Sequence, residues 1–343
     1  MSSFRISNYS YHIINSLRNK SETIVTKKFL LNMNNLTYKN KIISSSQFLY
    51  QELPIRLSKR IQDLEKLPID LDSTHEIFKV RDWYVKSLDD ITNIKKPTTI
   101  NDCESFRNKI NIIHNRHSLT LSTMSIGINK LKKSNLITND IDYFLSNFYS
   151  NRAKTRFIID NYLDYFKENP NKMGVIYKNC NVKHLVEDAI LDLYSLSNIH
   201  KCNKPEININ IDDTHFMYPS GYLYYSIMEI LKNSLVALKE IDNPKIDITC
   251  FNDNNLYIIK IKDNGIGIKE ENMDNIWKFS FTTTKINYDN SCESDNPLSG
   301  LGYGLPISRI LLKTFNGDLR IYSEHNKGTE TYIIIDINSN WVF

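Results

Sequence analysis

The sequence predicts an α+β protein in which an N-terminal helical bundle precedes a domain of alternating helices and strands. Residues 46 to about 168 repeat apolar side chains at helical spacing, with short polar segments between the repeats. The composition changes at Asn169-Pro170-Asn171, after which helix and strand patterns alternate. We therefore expect a helical domain over residues 46–170 and an α/β domain over residues 171–340.

The helical domain is expected to form an antiparallel bundle, because its long helical patterns are joined by short polar loops. Pro54 would be a kink or a first-turn residue of the first helix. The predicted helices cover residues 48–64, 74–91, 103–131 and 138–166.

The second domain is expected to alternate between helices and strands. Helices are predicted over residues 182–197, 221–241 and 306–314, the last ending at Asn316-Gly317, a good left-handed cap. Strands are predicted over residues 206–211, 245–252, 256–263, 319–323 and 329–337.

Composition excludes several classes of protein. A chain of 343 residues with 41% hydrophobic and 24% charged residues is globular. No apolar run approaches the ~20 residues of a membrane span. A net charge of +4, without a basic stripe interleaved with aromatic residues, argues against nucleic-acid binding. The five cysteines lack metal-ligand spacing, so reduced thiols are expected rather than a zinc site or disulfides.

Residues 1–45 are interpreted as a mitochondrial targeting segment. The first 51 residues contain one acid, Glu22, against seven basic residues, and they are rich in Ser and Asn. Lysines outnumber arginines, which departs from the usual leader. A disordered, lysine-rich amino terminus is the alternative.

A glycine-rich segment, GLGYGL at residues 300–305, leads into Pro306 and an apolar-periodic helix. Glycine lets backbone amides approach a ligand closely, and proline suits the first turn of a helix. Such a segment can bind phosphate, because unpaired N–H groups and the helix dipole both face the anion. Taken alone, the segment is equally typical of a plain loop.

A second segment places Asp263 at the end of an apolar strand, just before Gly265 and Gly267. A carboxylate in this position can accept a hydrogen bond from a purine amino group. The alternative is a hairpin turn, since Asp-Asn-Gly is good turn chemistry.

Two more segments carry polar groups suited to a nucleotide. Glu229 and Asn233 are four residues apart and share one face of a predicted helix, and an amide oxygen is a suitable magnesium ligand. The hydroxyl groups of Thr282 and Thr283 could bond phosphate oxygens. The alternatives are a solvated helix face and a β-prone stretch.

In this order, the four segments resemble the nucleotide-binding boxes of the GHKL superfamily. The sequences GYGLPISR (302–309), KNS (232–234) and FNGDL (315–319) look like those of mitochondrial pyruvate dehydrogenase kinases and branched-chain α-ketoacid dehydrogenase kinases. Residues 48–57, 115–117 and 151–156 are similar to that family's helical domain. The resemblance covers roughly residues 46 to 337 and implies a Bergerat-type α/β sandwich with a mixed sheet after the bundle.

The resemblance implies that these boxes bind ATP and Mg²⁺, and it leaves a role for K⁺ open. Asn233 would hold the metal ion, Asp263 would bond the adenine amino group, and Glu229 would be the general base. The other implied nucleotide-binding residues are Ile230, Leu231, Lys232, Ser234, Leu235, Val236, Gly265, Gly267, Thr282, Thr283, Gly300, Leu301, Gly302, Tyr303, Gly304 and Leu305.

The chain departs from the family pattern near this site. Tyr225 stands where relatives often carry a histidine, one turn before the glutamate, and Val236 stands where they place an arginine. These changes cast doubt on the rate of phosphoryl transfer rather than on ATP binding.

The resemblance also implies a ketoacid effector site among the helices. The residues at matching places are Tyr84, His114, His117, Arg152 and Arg156, although relatives more often have arginine where His114 stands. An arginine fork binds a carboxylate through two hydrogen bonds. A buried Arg–acid network that braces the bundle is the alternative.

The function implied is that of a mitochondrial matrix serine kinase that inactivates the decarboxylase subunit of an α-ketoacid dehydrogenase complex. Pyruvate dehydrogenase is favoured as substrate, and the branched-chain complex is the other choice. The family docks on the lipoyl domain of the acyltransferase core and forms homodimers. The alternatives are a two-component histidine kinase and a nucleotide-binding scaffold without catalysis.

Overall fold

The computed structural model describes residues 8–17, 19–67, 74–133, 140–199, 204–281 and 302–342. The chain divides into two compact units, one formed by residues 1–175 with 342–343 and the other by residues 176–341. The first unit is mainly helical and the second combines helices with strands, so the predicted α+β class is confirmed.

The helical unit is a bundle in which α3 packs against α4, α5 and α7, and α4 packs against α6. Its core includes Leu53, Tyr84, Phe106 and Phe148, all at most 3% exposed. The elements described in this unit are α1 (Asn8–Leu17), α2 (Lys27–Asn34), α3 (Tyr38–Glu65), α4 (His75–Thr92), α5 (Ile100–Arg116), α6 (Thr120–Lys133), α7 (Asp140–Asp164) and the short strand β1 (Lys172–Met173).

Helix α3 starts at Tyr38, earlier than predicted. Ile42 is fully buried on this helix, so its apolar stripe extends upstream of residue 48. Pro54 lies in the helix interior and not in its first turn. Because proline lacks an N–H group, one backbone hydrogen bond of the helix is missing there.

The prediction of one helix over residues 103–131 is wrong, since α5 and α6 divide this stretch. His117 is the C-cap of α5, and Arg152 Nη2 on α7 donates to its carbonyl oxygen at 2.9 Å. The same carbonyl also accepts from Thr120 N at 3.2 Å, a bond to the third residue along rather than to the fourth, as a continuous helix would have. The buried positions keep helical spacing across the break, but they are the polar residues His117 and Thr120 there. Residues 114–118 are all polar, and this was the available signal of a break.

Part of the stretch interpreted as a targeting segment packs into the helical unit. Val25, Leu30 and Ile42 are at most 4% exposed. Glu22 forms an ion pair with the buried Arg56, with 3.3 Å between Glu22 Oε2 and Arg56 Nη1. The targeting role of residues 1–45 stays a prediction, and the packing shows that residues from Glu22 onward also contribute to the fold.

The α/β unit is built on a mixed five-stranded sheet with the strand order β3-β5-β6-β8-β7. The β3–β5 pair is parallel and the other three pairs are antiparallel, and β2 pairs with β4 separately. Its elements are β2 (Ile176–Asn181), α8 (Val182–Ile199), β3 (Glu206–Ile211), β4 (His215–Tyr218), α9 (Ser220–Ala237), β5 (Lys245–Asp253), β6 (Leu256–Asp263), α10 (Gly304–Thr314), β7 (Gly317–Glu324) and β8 (Gly328–Asp336).

Helix α9 packs between α8 and α10 and also contacts β6 and β8. Burial alternates along β6, so that Tyr257, Ile259, Ile261 and Asp263 are buried while the intervening residues are more exposed. Successive side chains of a strand point to opposite faces. The predicted purine-contacting carboxylate of Asp263 therefore lies on the buried face of the sheet, at the end of a central strand.

Candidate nucleotide-binding site

Asp263 is held in one orientation by groups from α9 and from its own turn. Ser234 Oγ donates to Asp263 Oδ2 at 2.8 Å, and Gly265 N donates to Oδ1 at 3.0 Å. The side chain is 4% exposed. Burial raises the pKa of the Asp263 carboxyl, and the hydrogen bonds from Ser234, Gly265 and the Thr329 backbone act in the opposite direction.

The backbone around Asp263 approaches its neighbours so closely that glycine is required. A Cβ atom on Gly265 would lie 2.8 Å from Ala237 Cβ at the end of α9. A Cβ atom on Gly328, at the start of β8, would lie 2.0 Å from the carbonyl oxygen of Asp263. Gly267 has a φ of +65°, in the left-handed region that favours glycine.

Glu229 lies between a lysine of its own helix and the start of α10. Lys232 Nζ contacts Glu229 Oε1, and the Glu229 side chain is 13% exposed. On the other side, a Cβ atom on Gly304 would lie 2.2 Å from Glu229 Oε2. The structure thus places the predicted general base beside the N-terminus of α10, where unpaired N–H groups favour negative charge.

Helix α9 divides the predicted residues between two faces. Asn233 and Val236 are exposed, and Asn233 lies one turn after Glu229. Ile230, Leu231 and Leu235 are at most 2% exposed. These three apolar residues anchor the helix in the core, and Asn233 is the exposed polar residue between them.

Tyr225 lies one turn before Glu229, at the position where the family pattern has a histidine. Burial, and to a smaller extent the Glu229 carboxylate, raises the pKa of the Tyr225 phenol. The phenol therefore remains protonated at neutral pH, whereas a histidine could gain or lose a proton there.

The start of α10 follows the predicted glycine pattern. Gly302 has a φ of +81°. Tyr303 is 2% exposed, and its ring packs edge-on to that of Phe279 with 5.0 Å between centroids, whereas Leu305 is half-buried. Thr282, Thr283, Gly300 and Leu301 lie outside the described residues.

The helical unit brings the predicted effector residues together around a small cavity. The cavity volume is about 20 Å³, enough for about one water molecule. A larger ligand therefore requires side chains to move. The residues that line the cavity are Leu57, Tyr84, Ile113, His114, His117, Arg152, Thr155, Arg156 and Ile159.

Sequence reasoning missed several residues that shape the two sites. Asp160 binds two of the predicted effector residues, and its spacing of four from Arg156 on one helix was an available signal. Ala237 lies against the turn that follows Asp263, and Gly328 lies against the Asp263 backbone, and nothing in their local sequence pointed to these positions.

Comparison with known proteins matches both units. The family model described as mitochondrial branched-chain alpha-ketoacid dehydrogenase kinase matches residues 24–181. The model described as histidine kinase-, DNA gyrase B-, and HSP90-like ATPase matches residues 221–339. Within the described residues, no helix has both the length and the apolar character needed to cross a membrane.

The chain is also similar to mitochondrial pyruvate dehydrogenase (acetyl-transferring) kinases over most of its length. It is 30% identical to that kinase of Arabidopsis thaliana over 328 residues, which cover 91% of this chain and 90% of the relative. Identity to isozyme 4 of Homo sapiens is 31% over 316 residues, covering 85% of this chain and 76% of the relative. Isozyme 1 of Homo sapiens is 28% identical over 318 residues, with 85% and 72% covered.

Proposed function

The chain belongs to the family of mitochondrial pyruvate dehydrogenase kinases and branched-chain α-ketoacid dehydrogenase kinases within the GHKL superfamily, and we propose that it is an ATP-dependent protein-serine kinase. Its proposed substrate is the decarboxylase subunit of the pyruvate dehydrogenase complex, which phosphorylation inactivates. The observation that carries the proposal is the convergence of Glu229 with the start of α10, on the same helix whose Ser234 holds Asp263.

Each residue contributes positioning or charge, which is what phosphoryl transfer requires of a protein. Asp263 accepts a hydrogen bond from the adenine amino group, and Ser234 keeps that carboxylate oriented. The N-terminus of α10, with Gly302 and Gly304, receives the phosphates. Glu229 accepts the proton of the incoming serine hydroxyl.

The residues present fit a bound Mg²⁺. Asn233 is exposed one turn from Glu229, and its amide oxygen is a suitable ligand for an ion that is held mainly by phosphates and water. When bound, Mg²⁺ would neutralise part of the negative charge on the phosphates. K⁺ is also proposed to support nucleotide binding.

The proposed location is the mitochondrial matrix. The names of the relatives describe them as mitochondrial and give no compartment within the mitochondrion. The proposed partners are the decarboxylase subunit, the lipoyl domain of the acyltransferase core and a second copy of this chain. The outer face of the sheet, with the half-buried Tyr332 and the partly exposed Phe251, is our proposed surface for the homodimer. A ketoacid is proposed to bind the cavity in the helical unit.

A second candidate is a nucleotide-binding scaffold without catalysis. Tyr225 favours it, because a phenol that remains protonated cannot assist Glu229 as a histidine could. The branched-chain complex is the alternative substrate, since the family model over residues 24–181 carries that name.

Purified protein incubated with radiolabelled Mg-ATP and each dehydrogenase complex tests the proposal. We expect acid-stable label on the pyruvate dehydrogenase decarboxylase subunit, and a loss of roughly 10²-fold or more in Glu229→Gln, as is typical for a general base. Glu240→Gln, an exposed glutamate beyond the end of α9, is the matched control.

The possible results separate the candidates. Label on the branched-chain complex alone would change the substrate, and acid-labile label would indicate phosphohistidine. ATP binding by calorimetry without label on either complex would favour the scaffold. Equal labelling by Glu229→Gln would remove the general-base assignment.

A further inference from the structure

Two residues that line the cavity in the helical unit are paired with a carboxylate. Asp160 Oδ1 lies 2.8 Å from His114 Nε2 and 3.0 Å from Arg156 Nε. Both partners line the cavity, whereas Asp160 comes from the next turn of α7 after Arg156. One anion thus already occupies two of the basic groups that an incoming anion would use.

Two other nitrogens of Arg156 contact His114. Its Nη1 donates to the carbonyl oxygen of His114 at 3.1 Å, and its Nη2 lies 3.5 Å from His114 Nδ1. The guanidinium is therefore held between α5 and α7. A ligand carboxylate can use the Nε edge of the guanidinium for two hydrogen bonds only if the contact with Asp160 is released.

Two polar atoms of the lining residues remain unsatisfied. Arg152 Nε and His117 Nδ1 are buried and have no hydrogen-bond partner within the part of the chain that the structure describes. Burial, followed by the nearby Arg152, lowers the pKa of His117 to about 3, so its ring is neutral at pH 7. A buried polar atom without a hydrogen-bond partner costs folding free energy, so this cavity favours a polar occupant.

Ser87 Oγ lies close to three groups beside the cavity. It is 2.7 Å from the carbonyl oxygen of Trp83, 2.9 Å from His117 Nε2, and 2.7 Å from Arg116 Nη1, which donates to it. Its single hydrogen can go to only one of the first two, and the neutral His117 ring carries its own hydrogen on Nε2 or on Nδ1 accordingly. The unsatisfied atoms are therefore one N–H donor on Arg152 and one ring nitrogen of His117.

We propose that Asp160 is an internal competitor for Arg156 and His114, and that it sets the affinity of this cavity for a small monocarboxylate. This inference rests on the proposed effector role of the cavity and adds the residue that limits it. An incoming carboxylate has to displace Asp160 to reach the Nε edge of Arg156, and at the other N–H groups it is repelled by the charge of Asp160. A histidine at position 114 does not carry the permanent positive charge that an arginine would supply to balance that repulsion.

Calorimetric titration of the full chain with pyruvate, without nucleotide or protein substrate, tests the proposal. We expect Asp160→Asn to bind pyruvate at least about tenfold more tightly than the unchanged chain, because a like charge within a few ångströms is removed. The matched control is Asp164→Asn, one turn further along α7, whose ion-pair partners Lys167 and Lys172 do not line the cavity.

A second variant guards against a folding defect in the first. His114→Arg adds a permanent cation beside Asp160 and should also tighten pyruvate binding. Methyl pyruvate lacks the negative charge, so its affinity should be unchanged in both variants. Equal affinity of Asp160→Asn and the unchanged chain would overturn the proposal, as would the absence of pyruvate binding in all variants. Since no ATP is present, neither result depends on kinase activity.

Discussion

Asp263 shows how a single buried carboxylate can be prepared for a ligand. It receives a side-chain hydrogen bond from α9 and a backbone hydrogen bond from its own turn, and burial limits its contact with water. A carboxylate that is already oriented and desolvated loses less on binding than one that must be ordered at that moment. The orientation depends most on Ser234, the side-chain donor.

The residue-scale prediction concerns that donor. Ser234→Ala should weaken ATP binding about tenfold, because a hydrogen bond to a charged group is worth about 1.5–3 kcal/mol and Asp263 would lose one. Calorimetric ATP titration measures the change. Ser226→Ala, a buried serine on α9 that bonds only the carbonyl oxygen of Tyr222 among the contacts described, is the control. Identical affinities for the two variants would contradict the orienting role.

At the scale of elements, helix ends explain where sequence patterns succeeded and where they did not. Helix α5 begins with a capping box in which Thr99 and Asp102 satisfy each other's backbone N–H groups. At its other end, the carbonyl oxygen of the C-cap His117 accepts a hydrogen bond from Arg152, which is 35 residues away in the chain. A local signal marks the start of this helix, and a distant side chain accompanies its end.

The capping box gives a prediction about pH. Hydrogen bonds from the Thr98 backbone and then from Thr99 lower the pKa of Asp102 from 3.8 to about 2. Because the folded-state pKa is depressed, the stabilisation is present above about pH 4 and is lost as the pH falls towards about 2. Asp102→Ala should therefore melt at a lower temperature than the unchanged chain at pH 7, with a smaller difference near pH 3.

Thermal unfolding followed by circular dichroism at both pH values measures this effect. Glu104→Ala removes an exposed acid from the same helix and controls for the change in net charge. A difference between Asp102→Ala and the unchanged chain that stays constant with pH would show that the carboxylate does not stabilise the cap.

At the scale of the whole molecule, the predicted nucleotide residues lie in the α/β unit and the predicted effector residues lie in the helical unit. The helical unit reaches further towards the amino terminus than the sequence analysis proposed. Glu22, Val25 and Leu30 all contact or enter its core, upstream of the predicted boundary at residue 46.

The corresponding prediction tests whether this upstream stretch stabilises the fold. Leu30→Ala should lower the free energy of unfolding by about 2–5 kcal/mol, since the side chain is only 4% exposed and its removal leaves a cavity. Leu36→Ala, at a leucine that is 39% exposed, should cost much less. Urea unfolding of both variants measures the difference, and equal values would show that the packing of residues 19–45 contributes little.

Short-range patterns in the sequence were enough to predict the α+β class and the mixture of helices and strands. These features depend on apolar periodicity, glycine spacing and strand ends, all of which are local. The predicted strands over residues 206–211 and 256–263 agree with β3 and β6 for this reason.

Only the tertiary structure decided which side chains meet. Ser234 reaches Asp263 across 29 residues, and His114 reaches Asp160 across 46. Contacts between distant parts of the chain also accompany the break between α5 and α6 and the packing of Val25 and Leu30. Such contacts depend on how separate elements pack against one another, and no local pattern encodes that packing.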